Sequence, residues 1–146
     1  MLAGFLEQEA TTFRDFDLIV ASPTYVGPGG RTFDHTRRVL EHAAGEVMPG
    51  RPWPFDVGGE PAIVKTARSR PFRGKNWQER RAIARDEIRP ALSVPDPSRT
   101  AGRSILVYDD VFTDGSTLDE VARALRIHGQ ANTVCGVTLC RQPWRR

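Results

Sequence analysis

The stretch from Ser104 to Leu139 constrains the fold more than any other part of the chain. The apolar run Ile105-Leu106-Val107-Tyr108 ends in adjacent carboxylates, Asp109 and Asp110. A short loop with hydroxyls and a glycine follows, then an amphipathic segment, Leu118 to Ile127, then a second apolar run. This order predicts a strand over Ser104 to Asp109, a loop over Asp110 to Ser116 and a helix over Thr117 to His128, with Gly129 as its stop. A strand over Thr133 to Leu139 completes the unit. Strands joined through a helix run parallel, and a parallel sheet needs both faces covered. The expected architecture is therefore α/β, a mainly parallel central sheet flanked by helices.

The earlier sequence offers elements of the same kind. Met1 to Phe16 reads as an amphipathic N-terminal helix carried by Leu2, Phe5, Leu6 and Phe13. Asp17 to Ser22 is a short apolar run closed by Pro23, as a buried parallel strand would be. Pro23 to Arg31 is a loop, and Thr32 to Ala44 has helical spacing with Gly45 after it. Pro49 to Pro61 is a Pro- and Gly-rich connection, with Trp53 and Phe55 to pack it down. Ala62 to Lys65 reads as a strand, and Trp77 to Arg89 as a helix ended by Pro90. A short strand at Ala91 to Val94 and a turn at Pro95 to Ser98 lead into the central unit. Residues 66–98 together are expected as a basic mobile or hood segment. Trp77 and Trp144, like Trp53, are expected as packing anchors. At 146 residues the chain suits a single domain with one core.

Composition excludes several classes. Hydrophobic residues make up 39% and charged residues 27%, which describes a globular chain and not a disordered one. No apolar run approaches the length of a membrane span. Glu7, Glu9, Asp15 and Asp17 give the N-terminal segment the wrong charge for a secretory or transit leader, so a cytoplasmic location is expected. Cys135 and Cys140 have an odd separation, which puts them on opposite faces of one strand and prevents pairing. They read as buried, inert thiols. The net charge of +3 is concentrated between Lys65 and Arg103, a block that attracts polyanions such as nucleic acid, a nucleotide or pyrophosphate.

The chemistry is concentrated in the acidic loop. It would lie at the carboxyl end of its strand, where open α/β sheets bind ligands. The helix after it would aim unpaired backbone N–H groups at an anion. Thr113, Ser116 and Thr117 supply hydroxyl donors, and Gly115 lets backbone approach a phosphate. Asp109 and Asp110 can hold vicinal hydroxyls or a magnesium-bound water once the chain turns after them. The pattern as a whole implies a phosphorylated sugar. A Walker loop is absent, since no Gly-x-x-x-x-Gly-Lys occurs. The nucleophile loop of haloacid-dehalogenase phosphatases is excluded too, because Phe112 stands where its nucleophilic carboxylate would be.

Residues 105 to 117 resemble the phosphoribosyl-pyrophosphate (PRPP) signature of type I phosphoribosyltransferases. The rest is similar to the ComF-related branch of that family, in Val20-Ala21-Ser22-Pro23, in Arg31 and Phe33, in the basic stretch from Arg70 to Arg81, and in Gly136 to Leu139 with Arg141. The resemblance implies a single-domain type I phosphoribosyltransferase-like fold. It implies that Asp109 and Asp110 are the catalytic acidic pair on the ribose hydroxyls. Thr113, Asp114, Gly115, Ser116 and Thr117 would hold the 5-phosphate. Ser22, Pro23, Thr24 and Tyr25 would meet the pyrophosphate, and Arg73 and Lys75 would close over it as a lid. Magnesium would come with substrate and water and have no direct protein ligand. Asp114 stands where the family has a small hydroxyl residue, and it weakens phosphate binding unless it turns outward or caps the helix.

The reaction implied is transfer of phosphoribosyl to a nucleophile with release of pyrophosphate. The alternative is a catalytically weak PRPP- or nucleotide-sensing domain, with a regulatory role linked to DNA uptake or handling. The implied partner is PRPP or another ribose-5-phosphate ligand. Nucleic acid is less favoured, a membrane is not expected, and a homodimer is compatible. For His35 a surface position is favoured over an approach to the site from the first helix.

Overall fold

The computed structural model describes residues 1–47 and 52–142. The expectations for Pro49 to Arg51, for Trp144 and for the end of the basic tail fall outside that set. Among the described residues, three strands form a parallel sheet: β1 (Leu18–Ala21), β4 (Ser104–Phe112) and β5 (Thr133–Arg141), in the order β1-β4-β5. Leu18 pairs with Ile105 and Ala21 with Tyr108, while Ser104 pairs with Thr133 on the other side. The α/β expectation with a parallel sheet flanked by helices holds.

Alternation along the strands divides the core between the two faces. Leu18, Val20, Ile105 and Val107 face α6 (Ser116–Ile127), where they pack with Val121 and Leu125. Ile19, Leu106 and Tyr108 face the other way, onto Leu40 of α3 (His35–Gly45) and Leu2 and Leu6 of α1 (Leu2–Gln8). Ile105, Leu106, Leu125 and Leu40 are fully buried, each worth roughly 1.5–3 kcal/mol of transfer free energy. Tyr108 is equally buried, and its hydroxyl has no partner.

The N-terminal helix is broken at Glu9 into α1 and α2 (Ala10–Phe13), a departure from the continuous helix expected over residues 1–16. Trp53 fixes this end of the chain. Its indole donates to Glu7 Oε1 at 2.7 Å, and the Arg14 guanidinium stacks on its ring at 3.9 Å. Phe55 extends the sheet by an isolated parallel bridge to Ile19.

The segment from residue 66 to 98 is an excursion from the main sheet. Its ends meet in a small antiparallel pair, β2 (Val64–Lys65) with β3 (Leu92–Ser93), separate from the main sheet. The helix within it starts as α4 (Trp77–Ile83) on a capping box between Asn76 and Glu79. Pro90 does not end it. The backbone widens into a π-helical turn over Ala84–Ile88 and continues through α5 (Arg89–Ala91). Pro90 lacks the N–H that an α-helix would direct at the carbonyl of Asp86, and the wider turn absorbs that loss. Arg89 then grips Glu120 of α6 through both carboxylate oxygens, at 2.7 and 2.9 Å.

Two packing expectations fail. Cys135 and Cys140 are exposed, because β5 is the last strand of the sheet and much of it faces solvent. Trp77 is 56% exposed, with the Arg81 guanidinium 5.8 Å from its ring. Gly129 follows α6 as expected, and close packing explains it. A Cβ there would lie 2.6 Å from the Leu125 carbonyl oxygen and 2.7 Å from Thr100 Oγ1. No helix among the described residues is long and apolar enough to cross a membrane.

Candidate functional site

β4 continues beyond the last paired residue of β1, and this offset builds the site. Ala21 is opposite Tyr108, so Asp109 and Asp110 project past the end of β1, beside the loop that begins at Ser22. Ser22 N donates to the Tyr108 carbonyl at 2.7 Å, which holds that loop against the acidic pair. The two chains diverge here, one toward α3 and the other through α6 to β5. Such a divergence at carboxyl strand ends is where open α/β sheets form their crevice.

The strand does not stop at Asp109, as the sequence suggested, but runs to Phe112. The adjacent carboxylates therefore point to opposite faces. Both still border one cavity of about 310 Å³. Asp109 lies on the α6 side and is half-buried. Desolvation pushes its carboxyl up to about 6, with the neighbouring Asp110 charge adding to the effect and the Asp110 backbone N–H opposing it. That N–H donates to Asp109 Oδ1 at 3.0 Å. Asp110 lies on the α3 side with its side chain 46% exposed.

Asp110 meets a residue that sequence reasoning left on the surface. His35 Nε2 lies 3.0 Å from Asp110 Oδ2, and His35 Nδ1 lies 3.3 Å from Thr24 Oγ1. Asp34 sets this up as the N-cap of α3. Its Oδ1 accepts from Arg37 N at 3.1 Å, and its Oδ2 accepts from Thr24 N at 3.0 Å. Thr36 adds a 2.6 Å hydrogen bond to the Ser22 carbonyl. The start of α3 is thus tied to the loop from Ser22 to Tyr25, with His35 between them. Asp34 at a helix start was a readable capping signal. The His35–Asp110 contact spans 75 positions, and no local pattern carries it.

Of the residues singled out by sequence, Ser22, Pro23, Thr24, Tyr25, Asp109, Asp110, Thr113 and Thr117 share the cavity. Gly115, with φ +81, makes the left-handed turn into α6. It borders an adjoining hollow of about 20 Å³ together with Thr113 and Thr117. Asp114 turns back onto the start of α6. Asp114 Oδ1 accepts Ser116 N at 3.0 Å, and Asp114 Oδ2 lies 3.9 Å from Arg80 Nη1. Asp114 Oδ2 and Ser116 Oγ are buried without a hydrogen-bond partner.

Arg73 and Lys75 do not border the cavity. A turn at Gly74 carries them outward, and Lys75 Nζ lies 3.3 Å from Glu79. The cations that border the cavity with the carboxylates are Arg31, Lys65 and Arg70. Lys65 donates to Ser69 Oγ at 2.6 Å. Desolvation lowers its pKa, partly offset by the charge of Glu87. Arg70 is held by Glu87, its Nε donating at 2.5 Å. Sequence reasoning placed Lys65 and Arg70 in the basic block without distinguishing them from the outer residues. The fold selects them because the chain leaving β2 runs along the cavity that Asp109 and Asp110 border.

No protein-family model matches the sequence, and no curated protein matches it. The cavity's carboxylates suit hydroxyl groups, and its cations suit an anion. Among the described residues, no group of three or more His, Cys, Asp or Glu side chains is arranged to hold a metal ion.

Proposed function

We propose that the chain binds PRPP and transfers its phosphoribosyl group to a nucleophile with release of pyrophosphate, as a type I phosphoribosyltransferase-like protein of the ComF-related kind. The observation that carries this reading is a single cavity bounded by Asp109 and Asp110, by the hydroxyls of Thr113 and Thr117, and by Lys65 and Arg70. Ribose hydroxyls would donate to the carboxylates. The 5-phosphate would rest at the mouth of the hollow beside Gly115, whose volume is that of about one water. Pyrophosphate would lie toward the loop from Ser22 to Tyr25 and the cations across from it. Magnesium, bound with the substrate, would neutralise the leaving group, and Asp109 and Asp110 fit it through water better than by direct ligation. Positive charge developing on the ribose would be stabilised by the acidic pair.

A second reading, a PRPP- or nucleotide-sensing domain of low activity with a role in DNA handling, is favoured by Asp114. Its carboxylate already takes the Ser116 N–H that a 5-phosphate would use. Isothermal titration with PRPP and magnesium tests the shared part of both readings. Wild type should bind, and Asp110→Asn should bind more weakly; binding by neither protein rules out both. Pyrophosphate release with a panel of bases and amines separates them, since a sensor releases none.

A further inference from the structure

We propose that His35 is the general base of the site, taking the proton from the nucleophile that attacks the ribose. This inference rests on the PRPP reading and adds a residue that the acidic signature does not contain. Asp109 and Asp110 are committed to hydroxyl groups in that reading, Asp114 accepts the Ser116 N–H and does not border the cavity, and the hydroxyls of Thr113 and Thr117 are too weakly basic to take a proton. The cavity's other ionisable groups are Tyr25, Arg31, Lys65 and Arg70. Tyrosine and arginine ordinarily hold their protons at neutral pH, and Lys65 Nζ is already engaged as a donor to Ser69 Oγ. An imidazole offers a free lone pair there.

The geometry fixes which nitrogen can act. A carboxylate only accepts hydrogen bonds, so Asp110 Oδ2, 3.0 Å away, selects the tautomer with the proton on Nε2. Nδ1 then presents its lone pair toward Thr24 Oγ1 at 3.3 Å. That contact is long for a hydroxyl donor, so an incoming N–H or O–H can displace it. Asp110 Oδ1 stays available to the ribose. The ring itself is held by the ties from Asp34 and Thr36 to the loop, and its side chain is 26% exposed toward the cavity.

The step balances without a further reactant. The nucleophile's lone pair forms a bond to the anomeric carbon as the bond from that carbon to the pyrophosphate oxygen breaks. The breaking pair leaves on pyrophosphate. The nucleophile's proton passes to His35 Nδ1, and Asp110 stabilises the resulting imidazolium until the proton returns to solvent.

Hydrolysis of PRPP, with water as the nucleophile, supplies the test without knowledge of the natural acceptor. His35→Gln should bind PRPP within about threefold of wild type while kcat falls about 100-fold or more. Nitrogen-15 NMR of the ligand-free protein should show His35 with its proton on Nε2. An unchanged kcat or a proton on Nδ1 would overturn the inference while leaving PRPP binding intact. Failure of wild type to bind PRPP would overturn the underlying reading, and the inference with it.

Discussion

Asp114 Oδ1 accepts the backbone N–H of Ser116 at 3.0 Å, so the N-terminus of α6 already carries its own carboxylate. The side chain is 9% exposed, and Arg80 Nη1 at 3.9 Å is the cation beside it. An anionic ligand at this helix end competes with Asp114 for the N–H and is repelled by its charge. Replacing Asp114 with alanine should strengthen binding of ribose 5-phosphate about tenfold, as Arg80 and the Ser116 N–H become available. Titration calorimetry on both proteins measures it. Equal affinities would place the phosphate elsewhere.

Asp109 makes a prediction about stability. Its carboxyl is pushed up to about 6 in the fold from an ordinary value of 3.8, chiefly by desolvation. Within that window the folded chain keeps a proton that the unfolded chain has released. Stability therefore falls as pH rises through the window, and the loss is complete above about pH 6. Asp109→Asn removes the titration and retains an oxygen for the Asp110 N–H. The variant should be more stable than wild type at neutral pH by on the order of 2 kcal/mol, with the difference vanishing near pH 4. Urea unfolding at several pH values checks both the sign and the window.

Lys65 and Arg70 border the cavity, and Arg73 does not. Lys65→Ala and Arg70→Ala should each weaken pyrophosphate binding about tenfold, whereas Arg73→Ala should change it less than about twofold. Competition between pyrophosphate and PRPP gives the affinities. The reverse ranking would restore Arg73 as the closing residue and require the turn at Gly74 to swing inward.

Asp34 links helix stability to the site. Its side chain caps α3 through Arg37 N and holds Thr24 N at 3.0 Å. Asp34→Ala should lower unfolding free energy by about 1–2 kcal/mol, the usual loss for an N-cap. It should also reduce any pyrophosphate release, because Thr24 and His35 lose their common anchor. Thermal unfolding and turnover assays on the same preparation report the two effects.

The site was half legible in the sequence, and the division follows the range of the interactions. The order of apolar run, acidic pair, glycine loop and amphipathic segment is local, and it located β4, α6 and β5 within a few residues. The same periodicity found β1 and α3. Contacts across the fold left no local trace. His35 lies beside Asp110 only because α3 packs on the face of β4 that carries Leu106 and Tyr108. Lys65 and Arg70 were separated from Arg73 and Lys75 by where the excursion turns, which a run of like charges does not encode. The exposure of Cys135 and Cys140 depended on β5 ending the sheet, a property of strand order.

By itself, the sequence determined the parallel β-loop-α-β unit and the acidic, hydroxyl-rich character of its loop. Side-chain periodicity and backbone freedom act over a few residues and can be read along the chain. The tertiary structure decided which side chains share the cavity with that loop. It continued the strand past Asp109, sent Asp109 and Asp110 to opposite faces, and gave one to a desolvated pocket and the other to His35. Desolvation and long-range hydrogen bonds depend on what packs against a residue, and packing exists only after the chain has folded.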